Sequence, residues 1–156
     1  MTIEEIIKSK NEIALPKKTV LNIIYTQNVL GERFNEILKP YDLSSEQFNV
    51  LRILRGQKGN AVNMCDIQER MIAKTSNTTR LIDKLLLKEM VSRQVCPENR
   101  RKIEVNITQK GLDTLQDLDP KVEAYENSMH DIFTKEELEK ARIALEKATQ
   151  SNSKKK

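Results

Sequence analysis

A chain of 156 residues, 38% hydrophobic and 32% charged, can build one domain with a core, or a small domain carrying extra helices. That balance suits a helical interaction protein better than a dense enzyme-like α/β core, and four glycines and four prolines leave little room for long irregular loops. The net charge of +4 is unevenly spread: Arg70 to Lys110 holds ten Lys/Arg against four Asp/Glu, residues 1–69 balance to zero, and residues 111–156 sum to −2.

No stretch approaches the roughly 20 apolar residues of a membrane span. The opening MTIEEIIKSK sets two acids among its few apolar residues, unlike a secretory signal. A cytoplasmic protein without membrane contact is therefore expected, with Cys65 and Cys96 as reduced thiols. His130, the only histidine, makes no metal-ligand spacing with them, so no metal and no cofactor are expected.

The first 40 residues read as two helical pieces. Ile3, Ile6, Ile7 and Ile13 form a sparse stripe that Leu15-Pro16 interrupts, with Pro16 suited to the first position of a new helix. Val20, Ile23, Ile24, Gln27, Leu30, Phe34, Ile37 and Leu38 carry that helix to Pro40. Ser44 and Gln47 have capping-box spacing, with Leu43 and Phe48 as a hydrophobic staple. Phe48, Leu51 and Leu54 continue at helical period until Gly56 and Gly59. Residues 60–63 suit a very short strand, and Met64 to Met71 a short helix with Ile67 and Met71 inward.

A helix is expected from Thr75 to Glu89. Thr78, Leu81, Ile82, Leu85, Leu86 and Met90 form its inner stripe, against an outer face of Ser76, Asn77, Thr79, Arg80, Asp83 and Lys84. The period then falls to two. Val91, Arg93 and Val95, then Ile103, Val105 and Ile107, mark an antiparallel hairpin with one buried face, turning at Pro97-Glu98-Asn99 with Arg100 and Arg101 at the tip. Thr108 can cap the next helix, whose stripe runs Leu112, Leu115, Leu118, Val122, Tyr125, Met129, Ile132 and which Pro120 should kink or break. Thr134 to Glu137 is a capping box for a last helix with Leu138, Ala141, Leu145 and Ala148 inward.

The fold class is therefore mainly α with a small β-hairpin: a winged helix-turn-helix between N- and C-terminal helices. The expected division is 1–42 for N-terminal dimerisation helices, 43–111 for the winged helix-turn-helix, 112–149 for C-terminal dimerisation helices, and 150–156 for a disordered basic tail. The outer helices carry more apolar face than the winged helix alone can cover, which calls for a partner.

The run from Met64 to Gly111 resembles the MarR family of bacterial transcription regulators. The matching elements are Ser76-Asn77-Thr78-Thr79-Arg80-Leu81-Ile82-Asp83-Lys84-Leu85, Met90-Val91-Ser92-Arg93, Asn99-Arg100-Arg101 and Ile107-Thr108-Gln109-Lys110-Gly111. The resemblance implies an obligate homodimer whose winged helices bind a pseudo-palindromic operator, with affinity open to modulation by a small-molecule effector. Three positions depart from the family pattern. Asn99 stands where the wing acid is usual, Glu89 where a glycine precedes the strand, and Met90 where a leucine is usual.

Ser76, Asn77 and Arg80 are the base-edge candidates: an arginine can fork onto guanine and an asparagine onto adenine. Thr75, Thr79, Lys84, Arg100 and Lys102 are phosphate candidates, and Arg101 is the minor-groove candidate at the wing. Asp83 should pair with a nearby cation such as Lys84 or Arg80, while Arg93 serves as a wing brace or a DNA contact. Cys65 opens a helix and Cys96 is expected at the wing base. Tyr25, Tyr41 and Tyr125 suit packing better than a ligand pocket. There is no Gly-rich phosphate loop and no His-based triad, so no enzyme is expected. The reading is a homodimeric, sequence-specific DNA-binding regulator, a repressor in sign. The alternative is a winged-helix protein–protein interaction module with incidental DNA binding.

Overall fold

The computed structural model describes residues 1–150. The expected basic tail lies outside them, save that Gln150 is the last residue of the final helix. The chain divides into two compact units, Met1–Leu115 and the residues from Gln116 onward.

The first unit opens with α1 (Ile3–Ile6), closed at its start by a capping box between Thr2 and Glu5. Lys18 Nζ lies 2.8 Å from Glu4 Oε1 and fastens α1 to α2 (Leu15–Leu38). That hydrogen bond also holds the Glu4 carboxyl below the usual glutamate range. Pro16 is the second residue of α2 rather than the first, a position where its missing N–H is still one of the unpaired four. A short 3-10 turn (Lys39–Tyr41) leads to Asp42 at φ +53° and into α3 (Ser45–Gly56). Its capping box forms as expected: Gln47 N–H donates to Ser44 Oγ and Ser44 N–H to Gln47 Oε1, each at 3.1 Å. The staple pair Leu43 and Phe48 are both buried.

Strand β1 (Val62–Asn63) pairs with β3 (Ile103–Ile107), which pairs with β2 (Val91–Val95), giving the antiparallel order β1-β3-β2. Between them run α4 (Met64–Arg70) and α5 (Thr78–Leu87). Leu38, Leu51, Leu54, Ile67, Met71, Ile82, Leu85 and Val105 are fully buried and form the core beneath this arrangement.

Helix α5 is shorter than its apolar pattern suggested. It begins at Thr78 because Asn77 is its N-cap, so Thr75 and Ser76 belong to the preceding turn. It ends at Leu87 because Glu89 turns to φ +58°. Glu89 N–H donates to Leu86 O at 2.9 Å and Met90 N–H to Leu85 O at 3.1 Å, the paired bonds of a Schellman motif. Leu85 and Met90, which that motif brings together, are both buried.

The hairpin differs as well. Only Val91 and Val105 are buried along its strands, while Val95 is 56% exposed. The core ends below the outer half of the wing, so strict alternation there does not signal burial. Cys96 is not at the wing base: it follows β2 at the far end of the strand, its N–H donating to Lys102 O at 2.9 Å.

Helix α6 (Gln109–Asn127) is capped by Thr108, whose Oγ accepts Gly111 N–H at 3.2 Å and donates to Glu89 O at 2.7 Å. Pro120 lies inside α6 without breaking it, the missing N–H costing the helix one ladder bond. α7 (Met129–Ile132) follows, then α8 (Lys135–Gln150), whose capping box forms between Thr134 and Glu137. The inner face expected for α8 is not covered: none of its residues is buried, and Leu145 and Ile143 stand in the open. The same holds for α2, which buries Leu38 alone among its 24 residues and leaves Leu15, Val20, Ile23, Ile24 and Tyr25 exposed.

Candidate nucleic-acid interface

Three hydrogen-bonded devices set the entry to α5. Asn77 Oδ1 accepts the Arg80 backbone N–H at 3.1 Å, which caps the helix. Thr78 Oγ donates to Gln68 Oε1 of α4, and Gln68 Nε2 donates to Lys74 O at 2.8 Å, tying both helices to the turn between them. Asn49 Oδ1 of α3 accepts Ile72 N–H at 2.9 Å, so the turn is also held from behind. The result is a helix N-terminus carrying small polar groups and one arginine, with its orphan N–H groups forward.

Thr75, Asn77, Thr79 and Arg80 are exposed around this N-terminus, and Ser76 is half-buried beside them. Thr75 and Ser76 reach this place from the turn, not from the helix. Asn77 has two competing uses. A forked contact to adenine needs its Oδ1 and Nδ2 together, and the cap engages the oxygen. Lys84 is exposed one turn further along α5. With Lys39 and Lys88 it also lines a cleft of about 600 Å³ between the end of α2, the start of α3 and α5. Lys88 is anchored in that cleft, its Nζ donating to Asp42 O and to Gln47 Oε1.

At the wing tip Arg100, Arg101 and Lys102 are all exposed. The turn is closed by Lys102 N–H donating to Asn99 O at 2.9 Å, and by Arg101 N–H donating to the Asn99 side-chain Oδ1 at 3.1 Å. An amide oxygen thus supplies the turn's side-chain acceptor where the family pattern has a carboxylate. Arg101 and Lys102 line a smaller cavity of about 350 Å³ with Asn63, Met64, Cys65, Asp66 and Ile103, which sets the wing beside the start of α4. Both cysteines are free thiols, Cys65 exposed and Cys96 buried.

Asp83 pairs with neither Lys84 nor Arg80. Its Oδ1 accepts from Arg93 Nη1 of β2 at 3.2 Å, so an ion pair joins α5 to the wing. Sequence reading missed this pairing, and with it Gln68 and Asn49, because each contact links residues 10 or more apart with no periodic signature. Among the described residues no cluster of three or more His, Cys, Asp and Glu could hold a metal, and no helix is long and apolar enough to cross a membrane.

The comparisons with known proteins agree with this geometry. A family model described as MarR family matches residues 43–103. The HTH-type transcriptional regulator YpoP of Bacillus subtilis (strain 168) is 30% identical over 131 residues, 84% of this chain and 89% of that one. A crystal structure of a MarR-like transcription regulator from Bacillus cereus ATCC 10987 superposes with a TM-score of 0.76 at 26% identity, covering 87% of this chain and 96% of the other. The S. aureus MepR–DNA complex shares the fold, with a TM-score of 0.72 at 19% identity over 90% of this chain and 99% of MepR. The chain belongs to the MarR family and is a MarR-type transcription regulator.

Proposed function

We propose that the protein is a homodimeric, sequence-specific repressor that binds a pseudo-palindromic operator. The observation that carries this reading is the N-terminus of α5. It is capped and braced from three sides, exposes Thr79 and Arg80, and belongs to a segment with a net charge of +6. Ser76, Asn77 and Arg80 then face base edges in the major groove. Thr75, Thr79, Lys84, Arg100 and Lys102 meet phosphates, and Arg101 enters the minor groove from the wing. That MepR has been seen bound to DNA in the same fold supports DNA as the partner.

The dimer accounts for the uncovered apolar faces of α2 and α8, which a second copy would bury. The name of one relative, the transcriptional repressor MprA of Escherichia coli (strain K12), supports repression as the sign. The organohalide-sensing regulator RdhR, solved in the same fold with 2,4-dichlorophenol bound, supports control by a small molecule. Such an effector acts only through differential affinity, by favouring a dimer whose two recognition helices no longer match successive major grooves.

Selection of bound duplexes from a random pool tests the reading. It should enrich an inverted repeat with half-site centres about 10–10.5 base pairs, or a multiple, apart. A pool that stays random after repeated selection would overturn it.

A further inference from the structure

We propose that Asp83 is a specificity-determining residue that acts by withholding Arg93 from the DNA backbone. This inference rests on the DNA-binding reading above. Asp83 is the only acid in α5, and it occupies the exposed face that also carries Thr79 and Arg80, four and three residues earlier. A carboxylate there opposes phosphate, so its presence on a groove-facing helix needs a compensating role.

The compensation is Arg93. It stands opposite the fully buried Val105 in the hairpin register and two residues beyond the buried Val91, on the strand face that turns toward the core. The core covers Val105 but not Arg93 on the neighbouring strand, and the guanidinium reaches across to Asp83 Oδ1 at 3.2 Å, with the two side chains 44% and 54% exposed. Free of Asp83, an arginine at this height of the wing would be one more mobile cation on the DNA-facing segment. It would strengthen binding to any sequence and carry no base information. Held by Asp83, it fixes the wing against α5, and discrimination is left to the groove-facing residues. Surface ion pairs add little to stability, so the pair's weight falls on charge placement rather than on folding.

The test measures dissociation constants of the full chain on a selected operator and on a random duplex across a salt series. It compares wild type, Asp83→Asn, Asp83→Glu and the double variant Asp83→Asn/Arg93→Ala, with thermal unfolding of each. Asp83→Asn should bind random duplex severalfold more tightly. Its log K against log salt slope should steepen by about 1.8 for the dimer, about 0.9 for the one further phosphate met by each Arg93. Its operator-to-random ratio should fall, while Asp83→Glu should keep the wild-type ratio. Adding Arg93→Ala to Asp83→Asn should return the slope to the wild-type value. A purely structural role would weaken both duplexes alike with no change of slope, and that result overturns the proposal. So does an Asp83→Asn variant identical to wild type on both duplexes. Wild type failing to bind any duplex would instead overturn the DNA-binding reading, and this inference with it.

Discussion

The side-chain oxygen of Asn99 accepts the backbone N–H of Arg101 at 3.1 Å, so the residue that departs from the family's wing acid still builds the wing turn. What it lacks is charge. Asn99→Asp should therefore keep the turn while placing a carboxylate among Arg100, Arg101 and Lys102, which lowers affinity for random duplex. Asn99→Ala should loosen the tip and weaken operator binding less than Arg101→Ala, for which a loss of about 1–3 kcal/mol is expected. Binding titrations on one operator rank the three. Arg101→Ala with wild-type affinity would mean that Arg101 does not enter the minor groove.

Glu89 holds a left-handed backbone, φ +58°, that glycine adopts without steric cost. Its carboxylate has only an exposed, 3.9 Å partner in Lys110 to lose. Glu89→Gly should therefore stabilise the fold by up to about 1 kcal/mol, read as a higher midpoint of chemical denaturation.

Gly111 is the opposite case, a glycine required by close approach. A Cβ there would fall inside contact distance of the Met90 carbonyl oxygen and 2.7 Å from Ile107 Cγ1. The Met90 carbonyl cannot move freely, since it accepts Thr108 N–H at 3.0 Å. Gly111→Ala should cost about 1–3 kcal/mol of stability, as overpacking does. Its denaturation midpoint should fall below wild type while Gly31→Ala, with open space around it, shows no such clash.

Ile23 and Ile24 sit exposed on α2 at the spacing of one apolar stripe with Val20. If a second copy covers this face, Ile24→Glu should shift the protein from dimer to monomer in sedimentation equilibrium. A wild-type chain that sediments as a monomer at micromolar concentration would contradict the dimer directly.

The sequence carried local information well. The capping boxes at Ser44 and Thr134, the Thr108 cap, β1 and the antiparallel hairpin follow from short spacings, and each formed. Where it misled, a longer-range or backbone effect had taken over. The α5 start moved because Asn77 caps instead of joining the helix, and the wing's alternation outran the core that would have buried it. The stripe on α8 was read correctly as apolar, and the outer helices as needing a partner to cover them, but not which of their residues stand open, since periodicity does not say what lies opposite. For the site, the candidate cations and small polar residues were visible one by one. Asp83–Arg93 and Gln68–Thr78 were not, because tertiary pairing leaves no mark on a single chain.

The central claim is that a basic winged helix binds duplex DNA, and salt tests it most directly. The dissociation constant of the wild-type chain on random duplex should rise steeply between 50 and 200 mM salt, by about 10³-fold or more if the dimer engages six or more phosphates. Affinity that hardly changes across that range would contradict the account.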